Sequence, residues 1–483
     1  MIPITLALMC LMPDATPDAW PGFLGVGRTP LDASTLPLKW SPTENIAWKT
    51  RLPGQGQSAP VIWGDKVFVT CIDGPTKDSC HVVALSLADG KELWNHKQPS
   101  TQKVRSNYFQ SRSAPTPCVD AERVYAFFET GELIALTHDG KLVWERSLVK
   151  EYGNFETTIG LAASLAQTTE AVFVLIDHEG PSYLLGVNKK TGKNVWKTAR
   201  DSRKSYASPV VMRIGDKDQI VVSSDGSVDG YDPMTGKLLW SFDDVGGNVS
   251  GVAFPVGPGR FLVSAMPGMH NQREKEAKRS NLLMAVEPSK GGEFRPTVNW
   301  RASILPTFAN PITHKDVAYW VNKVGVVTAY DVKSGKELFK ERIQQSCWAA
   351  PLGVGDRVYF FGKDGQTTVL KAGQEFKVIA VNQLWDAAVA GKDRFGGGGR
   401  RPASTGKYQE GEPSREEKPV PKDNKKESEP ANGGAPGGAP KERPETGPGG
   451  LNFADPVQYG VAAVNGSLVI RTGAVIYCIR EKK

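Results

Sequence analysis

The hydrophobic pattern of this chain repeats. Each unit opens on a cluster of small residues that usually ends in proline, runs through two apolar stretches, and closes on a Gly-Lys turn and an aromatic residue. The clusters are Ser58-Ala59-Pro60, Ser113-Ala114-Pro115, Ala207-Ser208-Pro209, Ala309-Asn310-Pro311 and Ala349-Ala350-Pro351. In five places the aromatic stands four residues after the turn glycine: Gly90 and Trp94, Gly140 and Trp144, Gly192 and Trp196, Gly236 and Trp240, Gly335 and Phe339. An offset held this often marks one structural unit used repeatedly.

Turn chemistry names the elements. Asp-Gly and Thr-Gly supply the positive φ of a tight hairpin, and proline is tolerated at the first residue of a strand. Four short strands per unit is the makeup of a propeller blade. The units fall at 58–97, 113–148, 161–200, 205–244, 249–303, 308–343 and 348–384, with an eighth set of strands at 456–479. That last set lacks its aromatic strand, which Asn45-Ile46-Ala47-Trp48-Lys49-Thr50 supplies from the other end of the chain. An N-terminal strand completing the last blade removes an open sheet edge. The expected fold is all-β, an eight-bladed β-propeller, or a seven-bladed one if that closure fails. The fifth and seventh units are irregular: Trp300 follows a lengthened turn, and the seventh has no closing tryptophan.

A ring also resolves the length, since 483 residues exceed what one hydrophobic core fills. From about Asp386 to Gly450 the chain turns Gly-, Pro-, Lys- and Glu-rich, which predicts a disordered insertion, a spacer or a partner-binding loop. The expected division is a signal segment at 1–19, the closing strand with blades one to seven at 20–385, the insertion at 386–450, and the last blade at 451–483. Ile2 to Met12 is almost wholly apolar and is followed by Pro13, Asp14 and the small residues Ala15 and Ala19, as in a secretory signal. Its basic leader is missing, because the first basic residue is Arg28. Export to the periplasm or cell surface is the expectation.

Charge and spacing exclude other classes. A net charge of +7 is too small for a nucleic-acid footprint, and no apolar run approaches the roughly 20 residues of a transmembrane helix. The six cysteines form no C-x-x-C. Cys71 and Cys80 bracket a turn-like stretch and either bridge a hairpin as a disulfide or end two strands as small apolar side chains. The six histidines lack metal-ligand spacing, and Asp177-His178-Glu179 is expected in a solvated loop.

The run from Gly230 through Asp232, Thr235, Gly236 and Lys237 to Trp240 resembles the repeat of the PQQ-like β-propeller superfamily. Its members include quinoprotein alcohol dehydrogenases and the propeller lipoprotein of the bacterial outer-membrane barrel assembly machinery. The opening Trp20-Pro21-Gly22-Phe23-Leu24-Gly25 resembles exported bacterial members. The resemblance implies that Trp48, Trp94, Trp144, Trp196, Trp240 and Trp300 dock each blade on the next. A dehydrogenase of this superfamily would carry a vicinal cysteine pair and a calcium-binding set of carboxylate, amide and catalytic Asp. No such set can be matched here, so no cofactor is expected, and PQQ with calcium is the minor alternative.

Candidate binding residues stand at or just before the small-residue clusters: Gln57, Arg105, Tyr108, Arg112, Tyr206, Asn248, Phe308, Asn310, Trp348 and Gln458. They form a recognition surface around the channel mouth or, more plainly, plug the channel and satisfy strand ends. The expected function is a monomeric, non-catalytic scaffold for a protein or peptide partner. A quinoprotein-like oxidoreductase with an atypical site and a polysaccharide-binding propeller at the cell surface are the alternatives.

Overall fold

The apolar runs are each long enough to cross one sheet, and the glycine turns reverse the chain between them, so every unit folds as an antiparallel meander. The computed structural model describes residues 18–104, 112–266, 274–304, 309–386 and 460–481. Blade one consists of Val61–Trp63, Lys66–Asp73, Ser79–Ser86 and Glu92–Pro99. Blades two to seven follow in the same order at 118–147, 166–200, 210–242, 254–301, 312–342 and 352–383. Eight sheets of this kind are present among the described residues. The eighth is Gly460–Val464, Ser467–Arg471 and Val475–Ile479, completed by Ile46–Arg51. In that closure Trp48 lies opposite Cys478 and Thr50 opposite Ile476. The expected eight-bladed ring with its N-terminal closing strand is therefore the observed one. The expected insertion at 386–450 falls, apart from Asp386, outside the described residues.

First strands of successive blades adjoin around the centre, as Val61–Trp63 does with Cys118–Val119 and Gly460–Val464. The second and third strands are covered on both faces, which is why they are mostly apolar and buried at all but their end positions. Alternate residues serve alternate neighbours: Phe68 packs toward blade two with Val119 and Val124, and Val69 toward blade eight with Val469. The outermost strand Glu92–Pro99 has one sheet neighbour and exposes every second residue. Because the strands alternate in direction, the turns after the first and third strands share one face of the ring. Loops leading into the first strands, and those after the second, share the other.

Two sets of bonds join the blades. Trp48 Nε1 donates to the Leu87 carbonyl at 2.9 Å, Trp94 to His138 at 2.8 Å, Trp144 to Lys189 at 2.8 Å, Trp196 to Pro233 at 2.9 Å and Trp300 to Val332 at 2.9 Å. Each acceptor lies in the glycine turn of the next blade. Gly90 has a φ of 72°, and a Cβ there would come within 2.5 Å of the Trp48 ring, so glycine serves both the turn and the indole. Trp240 differs only in where its N–H goes. Its N–H is satisfied inside its own blade, by Gln219 Oε1 at 2.7 Å, while its ring stacks on Phe261 of blade five.

The second set uses the small-residue clusters. The backbone N–H of Ala59 donates to Thr116 Oγ1, Thr116 to Ser164 Oγ, and Ser164 to Ser208 Oγ, at 2.9, 3.1 and 2.9 Å. Each bond runs from one blade to the next around the channel. Arg471 of blade eight, fully buried, donates to the Ser58 carbonyl at 3.2 Å and joins the last blade to the first.

The disulfide between Cys71 and Cys80 does not form; both thiols are free. Cys71 lies opposite His81 and Cys80 opposite Ile72. One residue of offset sends the two side chains to opposite faces of the sheet, into different inter-blade cores. No helix among the described residues is long and apolar enough to cross a membrane.

Candidate functional site

Six of the expected channel-mouth residues are described, all on the loop face: Gln57, Arg112, Tyr206, Asn248, Asn310 and Trp348. Arg105, Tyr108, Phe308 and Gln458 lie outside the described residues. Gln57 Oε1 accepts the Arg112 backbone N–H at 3.0 Å, and Arg112 Nη1 donates to Gln55 Oε1 at 2.7 Å, which clamps two neighbouring loops. Asn248 is fully buried; its Nδ2 donates to Ser223 Oγ at 3.1 Å and to the Ser227 carbonyl at 2.8 Å. Asn310 Oδ1 accepts the Val252 N–H at 2.8 Å, joining blade five to blade six. The Lys363 ammonium sits 5.3 Å from the Trp348 ring centroid. The Tyr206 hydroxyl is buried and makes no hydrogen bond. Burial, reinforced by the carboxylates of Glu179 and Asp225, pushes it up to about 12.

Two buried ionic groups on this face escaped the sequence. Lys77 Nζ lies 3.1 Å from Glu129 Oε1, and both side chains are almost wholly buried. The same carboxylate oxygen accepts the Ser113 N–H at 2.7 Å. Lys77 and Ser113 hold positive φ, 55° and 47°, so Glu129 pins two left-handed residues. The second group corrects the solvated reading of Asp177-His178-Glu179. Asp177 and His178 are buried, and only Glu179 is exposed, with Lys204 3.2 Å away. Asp177 pairs with Arg200 at 2.9 Å, and Arg200 reaches Asp229 at 3.2 Å. His178 Nδ1 accepts the Glu156 N–H at 3.0 Å.

The turn face is built differently. Ala19–Trp20 pairs antiparallel with Ile62–Trp63 on the channel edge of blade one, and the chain then crosses the mouth as a strap. The Pro21 carbonyl accepts the Val119 N–H of blade two at 2.9 Å, and Phe23 and Leu24 pack against the core of blades four and five. Arg28 returns over the Trp20 ring at 5.3 Å. Gly25, at φ 67°, lets the strap fold onto Trp20, since a Cβ there would sit 2.7 Å from the indole. Between the strap and the first strands of blades two to four lies an open cavity of about 650 Å³.

A quinoprotein cofactor would need metal ligands and a cysteine pair from these residues. Among those described, no group of three or more His, Cys, Asp or Glu side chains is placed to hold a metal. Asp177, Asp229 and Glu129 are committed to Arg200 and Lys77. The described cysteines, Cys71, Cys80, Cys118, Cys347 and Cys478, are buried and none adjoins another in sequence. The described cysteines and these three carboxylates do not fit a calcium-held quinone.

Ring, turn motif and docking tryptophans together define a class: the chain is a PQQ-like β-propeller in build. Residues 38–175 and 158–258 match the family described as "Outer membrane protein assembly factor BamB". The chain is similar to the outer membrane protein assembly factor BamB of Burkholderia pseudomallei, 26% identical over 44% of this chain and 51% of that one. It is also similar to the quinohemoprotein alcohol dehydrogenase ADH IIB of Pseudomonas putida, 25% identical over 48% of this chain and 28% of that one. The matched stretch thus spans about half of the first relative and less of the second. The crystal structure of BamB from Moraxella catarrhalis shares the fold, with a TM-score of 0.52 and 12% identity over 89% of this chain and 98% of that one.

Proposed function

We propose that the ring is a non-catalytic scaffold that binds a protein partner, acting as a monomer outside the cytoplasm. The observation that carries this reading is the use made of the loop-face polar side chains. Gln57, Asn248 and Asn310 spend their amide groups on joining loops and blades, as Arg112 does one of its guanidinium nitrogens. What they leave on the surface is a rigid rim, including half-buried Tyr206 and Trp348, and aromatic residues on a fixed frame suit protein recognition. Similarity to a protein named an outer membrane protein assembly factor supports the same reading and an extracytoplasmic site.

The test places a photo-crosslinking amino acid at Trp348 and, separately, at exposed Met234 on the turn face. Discrete adducts with one protein from the Trp348 position, absent from the Met234 position, are expected. Equal adducts from both would remove the loop face as the docking site. A rise in melting temperature on adding PQQ with calcium chloride would overturn the non-catalytic part and favour the oxidoreductase reading that the Pseudomonas relative suggests.

A further inference from the structure

We propose that the cavity under the strap is a binding site for an extended, uncharged peptide strand with apolar residues at alternate positions. The proposal deepens the scaffold reading by giving the ring a second protein-binding site, on the face opposite the loop-face rim.

The walls carry the argument. Cys118–Val119, Ala166–Gln167 and Val210–Ile214, the first strands of blades two, three and four, are each the end strand of their sheet. Their channel edges border the cavity, and the end strand of a sheet is a template for another strand. Blade one shows how such an edge is used. There the chain's own Ala19–Trp20 adds as a fifth strand, antiparallel to Ile62–Trp63. Pro21 then takes the Val119 N–H, and Gln167 Nε2 donates to the Val119 carbonyl at 3.0 Å, so blade two is also served. The strap then crosses to blades four and five and leaves the cavity open beside blades three and four.

A second observation points to a ligand. Gln167 lines this cavity, and its Oε1 is buried without a hydrogen-bond partner. A buried amide oxygen in that state costs free energy until a donor reaches it, and a peptide N–H is such a donor. The chemistry of the walls sets the sequence of the strand. Phe23, Leu24 and Val211 offer apolar surface on one side, and Thr168 and Thr169 offer hydroxyls at the rim. The charged lining balances, with Asp120, Glu122 and Glu170 against Arg123, Lys189 and Lys190. Asp120 is paired with Lys189 at 2.9 Å and Glu122 with Arg123 at 3.3 Å, so the recognition falls on backbone and apolar side chains rather than on net charge.

The test uses the full chain and the peptide acetyl-Thr-Val-Thr-Val-Thr-amide, followed by calorimetry and by the fluorescence of Trp63, which lines the cavity. Saturable binding is expected. Methylating alternate peptide nitrogens, which removes strand pairing and keeps the apolar groups, is expected to weaken it by about tenfold or more. Ala121→Trp, at an exposed turn bordering the cavity, is expected to weaken it similarly while leaving the circular dichroism unchanged. No binding at millimolar peptide would overturn the proposal. So would equal binding of the methylated peptide, which would mark an apolar small-molecule cleft, or binding indifferent to Ala121→Trp, which would place the peptide elsewhere. Any of these failures leaves the Trp348 crosslinking result standing, because the two sites share no residue.

Discussion

Trp240 donates its indole N–H to Gln219 inside its own blade, at 2.7 Å, where five other docking tryptophans donate into the blade that follows. The cause lies in blade five. Its third and fourth strands, Leu282–Pro288 and Phe294–Arg301, are joined through Ser289 to Glu293 without a Gly-Lys turn, so no socket faces Trp240. Blade seven also lacks the Gly-Lys turn, and the residue facing it is Phe339, which has no N–H to satisfy and packs on Phe376 at 5.7 Å. Blade eight has no turn at this place, because its third and fourth strands come from opposite ends of the chain, and blade seven has no docking tryptophan. Where the following turn is missing, the tryptophan either finds its acceptor inside its own blade, as Trp240 does, or is replaced, as at Phe339.

Gln219→Leu removes the acceptor from a buried N–H. It is expected to lower the stability by about 1–3 kcal/mol, read from urea unfolding. Trp240→Phe keeps the stacking on Phe261 and removes the donor. In the double variant the two losses are expected to fall short of additivity by about 0.5 kcal/mol or more. Strict additivity would show that this bond carries no stability.

What the sequence made legible is what repeats. The Gly-to-Trp offset, the proline clusters and the orphan strand around Trp48 each had several copies to be compared against, and the eight-bladed ring followed. Single contacts had no such support. Lys77 and Glu129 are 52 positions apart, in stretches that look like ordinary polar turns, and Lys and Glu are exposed by default. Asp177 was misplaced for the same reason, its partner Arg200 lying on another strand. The hairpin joining Cys71 and Cys80 was legible, but the face each side chain takes depends on a one-residue register that spacing does not fix. The motif Trp20 to Gly25 stood out in the sequence, whereas its path across the channel is set by pairing with Ile62–Trp63 and is a tertiary fact.

Glu129→Gln leaves the Lys77 ammonium buried without its counter-charge. A loss of about 3–5 kcal/mol is expected from guanidinium unfolding. Replacing both, Lys77→Met with Glu129→Leu, removes the charges together and is expected to recover part of that loss; the Ser113 N–H then still lacks its acceptor. A double variant no better than Glu129→Gln would show that the carboxylate matters through Ser113 rather than through Lys77.

The thiols are predicted to be inert in the folded ring. Burial pushes Cys71 up to about 11 and Cys478 to about 11, and raises Cys80, Cys118 and Cys347 as well. Thiolate is the reacting form, so at pH 8 these five are expected to resist a disulfide reagent until denaturant is added. Peptide mapping after mild oxidation is expected to recover Cys71 and Cys80 unlinked. A bridged peptide would mean that the register of Lys66–Asp73 against Ser79–Ser86 shifts by one residue in solution.

Stability is expected to fall on mild acidification, and the histidines give the sign. Burial lowers His138 and His314 below the ordinary imidazole value, while their Nε2 atoms lie 2.9 Å from the Asp120 carbonyl and 2.8 Å from the Gly355 carbonyl, where a neutral ring donates well. As the pH drops through about 6.5 the unfolded chain takes up protons at both residues while the folded ring resists. The unfolded state then binds more protons, so stability rises with pH in this window and is lost as the pH descends through it. The urea midpoint is expected to decrease between about pH 7.5 and 5.5, above the range where carboxylates dominate. His138→Gln retains an amide N–H in place of the imidazole one and cannot titrate, so its midpoint is expected to vary less with pH than that of the unaltered chain. An equal slope in the two proteins would remove His138 from the account.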